Sequence, residues 1–137
     1  MIPAICRPVI LARLLALVPA GFPSPAADYE EEAVDLADLL IRNKAATFLM
    51  RAQGVSMLEA GILDGDLLVV DRSVRPVDGH IVVASINGEH TVKFLRRKAG
   101  RVFLEAASSD YPAIEVTEDA ELVIFGVVMH AIHSLAR

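Results

Sequence analysis

From Ala46 onward the chain falls into short apolar runs separated by turn residues, the pattern of strands rather than helices. Leu67–Asp71 and His80–Ile86 are rich in β-branched residues, and turn residues precede each. Thr47–Gln53 alternates in part, and Val102–Ala106 and Leu122–His130 complete the predicted strand set. Asn87-Gly88 is the strongest local signal, because both residues tolerate positive φ and so suit a two-residue type I′ turn. That turn pairs His80–Ile86 with Glu89–Leu95. Ahead of the strands, Asp35 is placed to cap a short helix. Asp38 stands three residues on, and Leu36, Leu39 and Leu40 share one face. Residues 21–33 read as a linker, since Pro23 and Pro25 donate no backbone hydrogen bond and Glu30, Glu31 and Glu32 repel one another. Residues 1–20 read as an amphipathic arm or a short helix between Pro8 and Pro19. The pattern predicts a mostly-β protein in three parts: an arm (1–20), a linker with one short helix (21–45) and a β-rich domain (46–137). No internal repeat or low-complexity tract interrupts it.

A length of 137 residues suits one core, and 54% apolar residues are enough to fill it. The net charge of −5 excludes a chain that binds nucleic acid by its overall charge. Residues 1–20 hold Arg7 and Arg13 and no acid, so the remainder carries 11 basic residues against all 18 acidic ones. A role on DNA therefore points to a protein partner rather than to strong direct binding. Cys6 is the only cysteine, so no intrachain disulfide forms and a cytoplasmic compartment is the default. Cys6 reads as a small apolar residue.

Val9 to Val18 is apolar except for Arg13 and ends in Val18-Pro19-Ala20, which mimics a secretory signal with cleavage at Ala20-Gly21. Arg13 divides that run, and Arg7 is the only charge ahead of it, which weighs against export. No run reaches the roughly 18 uninterrupted apolar residues that a membrane-spanning helix needs.

Two residues carry candidate chemistry. Ser56 stands between Val55 and Met57, just after Gly54 and an apolar strand. Lys93 lies 37 positions later in a second strand. A serine hydroxyl is a poor nucleophile until a base takes its proton, and a neutral lysine is such a base. On its strand Lys93 shares a face with Thr91 and Leu95, while His90, Val92 and Phe94 occupy the other. Apolar neighbours on both faces favour a neutral amine, because desolvation penalises the ammonium form. Against this stands a strand lysine that snorkels its amine to water. Gly54 allows a tight strand-to-turn transition, after which Met57–Ala60 fits a short helical turn. The backbone N–H groups of Val55 and Ser56 are the candidate oxyanion hole.

Context sharpens the pair. Gly54-Val55-Ser56-Met57 is followed by Ala60-Gly61-Ile62 and by Asp64-Gly65-Asp66-Leu67-Leu68-Val69-Val70-Asp71. Near the N-terminus stands Ala20-Gly21-Phe22-Pro23-Ser24-Pro25-Ala26-Ala27-Asp28-Tyr29. Together these segments resemble the UmuD branch of the LexA-like self-cleaving Ser-Lys (S24) peptidases, from about Pro19 to the C-terminus. The resemblance implies the LexA/UmuD C-terminal peptidase-like β fold. It makes Ser56 the nucleophile, Lys93 general base and then general acid, and Ala20-Gly21 the self-cleaved bond. It also implies a homodimer, stimulation by the RecA filament on single-stranded DNA, and service of the trimmed form to an error-prone, UmuC-like Y-family translesion polymerase in the SOS response. It calls for no cofactor or metal. Ala20 suits a shallow pocket, and Gly21 leaves the scissile carbonyl open. Roughly 25 residues of chain at about 3.3 Å each let the arm reach its own site or a partner's.

Other readings remain beside this one. The core can act purely as an interaction module that regulates a repair polymerase. A LexA-like repressor is disfavoured because residues 1–20 are too short for a helix-turn-helix. A signal peptidase uses a similar dyad but normally needs a membrane anchor. Arg96, Arg97, Lys98 and Arg101 form a basic patch that reads as a solvated loop. His130 and His133 lack a third ligand for zinc, and Asp64, Asp66 and Asp71 lack EF-hand spacing. No phosphate-binding glycine loop is present.

Overall fold

A computed structural model describes residues 11–14, 18–23 and 32–136. The chain divides into two compact units, 1–42 and 43–137. In the first, strands β1 (Leu11–Leu14) and β2 (Glu32–Asp35) pair antiparallel, Leu11 opposite Asp35 and Leu14 opposite Glu32. The arm thus holds a strand where the sequence allowed a helix, and the linker's end enters β2. The remaining arm and linker readings, on residues 1–10, 15–17 and 24–31 with Cys6 among them, lie outside the described residues. Helix α1 (Leu36–Leu40) forms as its cap predicts: the Ala37 N–H donates to Asp35 Oδ1 at 3.0 Å. Its Leu36 and Leu39 are exposed.

The second unit is a seven-stranded antiparallel sheet in the order β3-β4-β9-β5-β6-β7-β8. The strands are β3 (Thr47–Arg51), β4 (Leu67–Asp71), β5 (Ile81–Ile86), β6 (Glu89–Lys98), β7 (Arg101–Glu105), β8 (Ile114–Val116) and β9 (Leu122–Ile132). The mostly-β expectation holds. Asn87 (φ 50°) and Gly88 (φ 85°) make the two-residue turn, and Ile86 faces Glu89 across it. That register sets Lys93 opposite Val82. Ala99 (φ 50°) and Gly100 (φ 76°) make a second such turn between β6 and β7. The sequence ended β6 at Leu95 because an Ala-Gly pair is a weaker turn signal than Asn-Gly.

Strand β5 is buried on both sides. Val83 joins Met57, Ile62, Leu68 and Val70 in one core cluster, while Val82 and Ala84 join Leu95, Leu104 and Val127 in another. Alternation along a strand puts these clusters on opposite faces of the sheet. Strand β9 pairs with β4 and β5, and each pairing has a register shift, at Val69/Val70 and at Val83/Ala84. Such bulges bend a strand and increase its twist. Between them Gly126 lies hard against β4: a Cβ there would sit 2.8 Å from Val70 Cγ1 and 3.0 Å from the Asp71 carbonyl oxygen. Gly126→Ala is therefore expected to destabilise this unit by about 1–3 kcal/mol through overpacking. Urea denaturation measures the effect, and an unchanged midpoint would contradict the close approach.

Candidate active site

The Ser56 loop leaves β3 through a frame of backbone bonds. The Ala52 N–H donates to the Asp66 carbonyl at 2.9 Å, and the Gly65 N–H donates to the Ala52 carbonyl at 2.8 Å. Gly54 turns the chain with φ +97°, a conformation that side chains with a Cβ rarely adopt, and its N–H donates to Asp64 Oδ1 at 2.7 Å. After Ser56, Met57 is 4% exposed and anchors the loop in the core. A short 3₁₀ turn (Leu58–Ala60) follows, where the sequence placed a helical turn, and ends at Gly61 in the left-handed conformation. The Glu59 N–H donates to the Ala107 carbonyl at 3.0 Å, tying this turn to the segment after β7.

Lys93 comes from the middle of β6. Pairing of β6 with β7 stops at Phe94 opposite Glu105, so Lys93 is the first residue of β6 beyond that partner. Its Nζ lies 2.9 Å from Ser56 Oγ, 2.9 Å from Thr91 Oγ1 and 3.2 Å from the Val92 carbonyl oxygen. The side chain is half-buried, and burial pulls its pKa below the ordinary lysine value by penalising the ammonium form. A neutral amine has two N–H donors and one lone pair. The Val92 carbonyl can only accept, and Thr91 Oγ1 can accept, so the two donors have partners there. In that neutral form the lone pair is left for the Ser56 hydroxyl, which would then donate to it, whereas an ammonium donates to Ser56 Oγ. The neutral arrangement suits proton transfer from Oγ to Nζ.

The pair opens on a cleft of about 250 Å³. Met57, Ile62, Leu68 and Val83 form its apolar wall, while Arg51, Gln53 and His90 add polar groups. The N–H groups of Val55 and Ser56 donate to no protein acceptor among the described residues. Two adjacent unused donors beside a nucleophile can stabilise a developing oxyanion. Ala20 and Gly21 belong to the first unit, in an exposed stretch (18–23) where Phe22 is 94% exposed.

Ser56 and Lys93 therefore meet as the sequence placed them. The sequence also put Thr91 on the Lys93 face but assigned it no contact. The acidic residues set aside as metal ligands prove to bind backbone: Asp64 takes the Gly54 N–H, Asp66 takes the Leu63 N–H at 2.8 Å, and Asp71 takes the Ser73 N–H at 2.8 Å. His133 Nδ1 lies 3.2 Å from buried Asp66 Oδ2, a pairing across 67 residues that no local signal announces. The basic patch is partly spent on the surface of the sheet. Arg101 grips Glu115 through two hydrogen bonds, and Arg96 stacks on Phe94. Among the described residues no group of three or more His, Cys, Asp or Glu could hold a metal ion, and no helix is long and apolar enough to cross a membrane.

Protein ImpA of Salmonella typhimurium is 51% identical over 114 residues, covering 83% of this chain and 77% of that protein. Protein MucA of Escherichia coli is 43% identical over 119 residues, 86% of this chain and 81% of that protein. The LexA repressor of Halorhodospira halophila is 44% identical over 104 residues, 76% of this chain but 46% of the repressor. The family model described as Peptidase S24-like matches residues 12–129, which hold the exposed Ala20-Gly21 bond, Ser56 and Lys93 alike. The chain belongs to the Peptidase S24-like family, among its UmuD-like members.

Proposed function

We propose that this protein is a serine peptidase that cuts its own Ala20-Gly21 bond. Ser56 attacks the Ala20 carbonyl carbon while Lys93 Nζ takes the Oγ proton. The tetrahedral oxyanion is held by the Val55 and Ser56 N–H groups. Lys93 then returns the proton to the Gly21 amine as the bond breaks, and water releases the acyl-enzyme by the same proton path in reverse. The observation that carries the reading is the 2.9 Å contact between Lys93 Nζ and Ser56 Oγ, with the other two amine partners able to accept. Thr91 positions the base. A lysine has no tautomer to fix, so a third residue of the aspartate type is not required.

Family membership supports the biological setting. By likeness to UmuD, the trimmed chain from Gly21 serves as a homodimeric accessory subunit of a UmuC-like Y-family translesion polymerase in SOS mutagenesis. RecA filaments on single-stranded DNA accelerate the cut. The three-part division of the chain, 1–20, 21–45 and 46–137, is the arm removed, the tether and the peptidase domain, and the setting is cytoplasmic. Incubation of the full chain with activated RecA is expected to give one cut and a product that begins Gly21-Phe22-Pro23. Intact mass and N-terminal sequencing read it. A different first residue would remove Ala20-Gly21 from the site, and a cut that needs export but not Ser56 would make residues 1–20 a secretory signal.

A further inference from the structure

Ser56 hangs between two anchors. Downstream, Met57 is buried and the Leu58 N–H donates to the Val55 carbonyl at 3.2 Å. Upstream, the last fixed point is the Gly54 N–H on Asp64 Oδ1, at 2.7 Å. That distance lies at the short end of the range for an N–H···O bond. Beyond it come the Val55 and Ser56 N–H groups, which donate to no protein acceptor among the described residues. The peptide that carries the Val55 N–H is the one that joins Gly54 to Val55. Gly54 has no side chain to hold that peptide, and apart from its chain neighbours nothing among the described residues lies within 4 Å of where its Cβ would be. On the upstream side, then, packing around Gly54 itself does not hold the chain, and the Asp64 acceptor is the contact that does.

We propose that Asp64 is a positioning residue for the nucleophile loop: its Oδ1 pins the Gly54 N–H and thereby aims the Val55 and Ser56 N–H pair at the reacting carbonyl. The inference rests on the reading of Ser56 as nucleophile. What the loop needs from Asp64 is an acceptor at the right place, not a negative charge. Asp64 is exposed, so solvent screens its charge, and a carboxylate near an oxyanion hole opposes the oxyanion. The two roles order a series of variants differently. Asparagine keeps the acceptor oxygen and loses the charge. Glutamate keeps the charge and moves the acceptor by one methylene. Alanine loses both.

The experiment is unstimulated self-cleavage of the full chain across a neutral-to-alkaline series, with thermal melting of each variant. Asp64→Asn is expected to cut within about threefold of the parent, whereas Asp64→Ala falls by about 10- to 100-fold, the scale of a misplaced reacting group. Asp64→Glu is expected between them. The pH midpoint, set by Lys93, stays the same throughout while the plateau drops. Asp64→Ala at parental rate would overturn the proposal. So would glutamate outrunning asparagine, which makes the charge the active feature and decides the matter even if the alanine variant fails to fold. Ser56→Ala run in parallel separates the two layers. If it still cuts, the nucleophile reading falls and Asp64 has no nucleophile to position. If it is inert and the expected order is absent, only the Asp64 proposal falls.

Discussion

Ser56→Ala is expected to stop self-cleavage altogether while the protein keeps its fold. Without Oγ no acyl-enzyme forms, and serine peptidases stripped of their nucleophile lose about 10⁶-fold in turnover. A loss of that size leaves no product in the time the parent chain takes to cut completely. The fold should survive because Ser56 is only half-buried, on a loop fixed by Met57 and by backbone bonds rather than by its hydroxyl. The change does remove one neighbour of the Lys93 amine, but the cleft is open and water can replace Oγ there. Melting temperature and circular dichroism check the fold, and intact mass checks the chemistry. A folded variant that still releases a fragment beginning at Gly21 would end the dyad reading. Mixed with active chains, the inert variant also reports how the arm is presented: product from its arm means that a partner's site did the cutting.

The sheet was legible where local chemistry decides structure. Asn87-Gly88 accepts the positive φ of its turn, Leu67–Asp71 is β-branched and apolar enough to be a buried strand, and Asp35 caps α1 with its own side chain. It was illegible where partners outside the segment decide. Ile114–Val116 is a three-residue edge strand that exists because Val116 and Ile114 face Val102 and Leu104 on β7. The β1–β2 ribbon joins residues whose own patterns argue for an arm and a linker. The same division runs through the site. The Ser56–Lys93 pair was readable through the resemblance carried by the segments around it; strand period alone left a lysine that snorkels to water as the stronger reading, though it did place Thr91 on the Lys93 face. The Asp64–Gly54 bond and the Asp66–His133 contact were not, because loops approach there without any periodic signal. Three aspartates that look alike in sequence as metal candidates turn out to be backbone caps, each on a different turn.

Lys93 carries the second large expectation, a rate that climbs with pH. A free lysine titrates near 10.4, so at neutrality almost none is unprotonated. Burial lowers that value here, and no carboxylate among the described residues is placed to restore it. The base must be neutral to accept the Ser56 proton, so the cleavage rate should rise as pH rises toward the lowered pKa and level off above it. Stability moves in the same direction. The unfolded chain, with the higher pKa, binds more protons between the folded and unfolded values, so folding stability rises with pH through that window. Below the folded pKa the desolvation penalty is fully present. Lys93→Met, which removes the amine, is accordingly expected to be at least as stable as the parent at neutral pH and slower to cut by about 10²–10⁴-fold, the usual worth of a general base. Lys93→Arg keeps the charge and should be inactive at every pH, because a guanidinium does not deprotonate in this range. The measurement is self-cleavage across a neutral-to-alkaline series, with circular dichroism at each pH to exclude unfolding. A flat parental profile, or an arginine variant that cuts, would mean that the amine 2.9 Å from Ser56 is not the base.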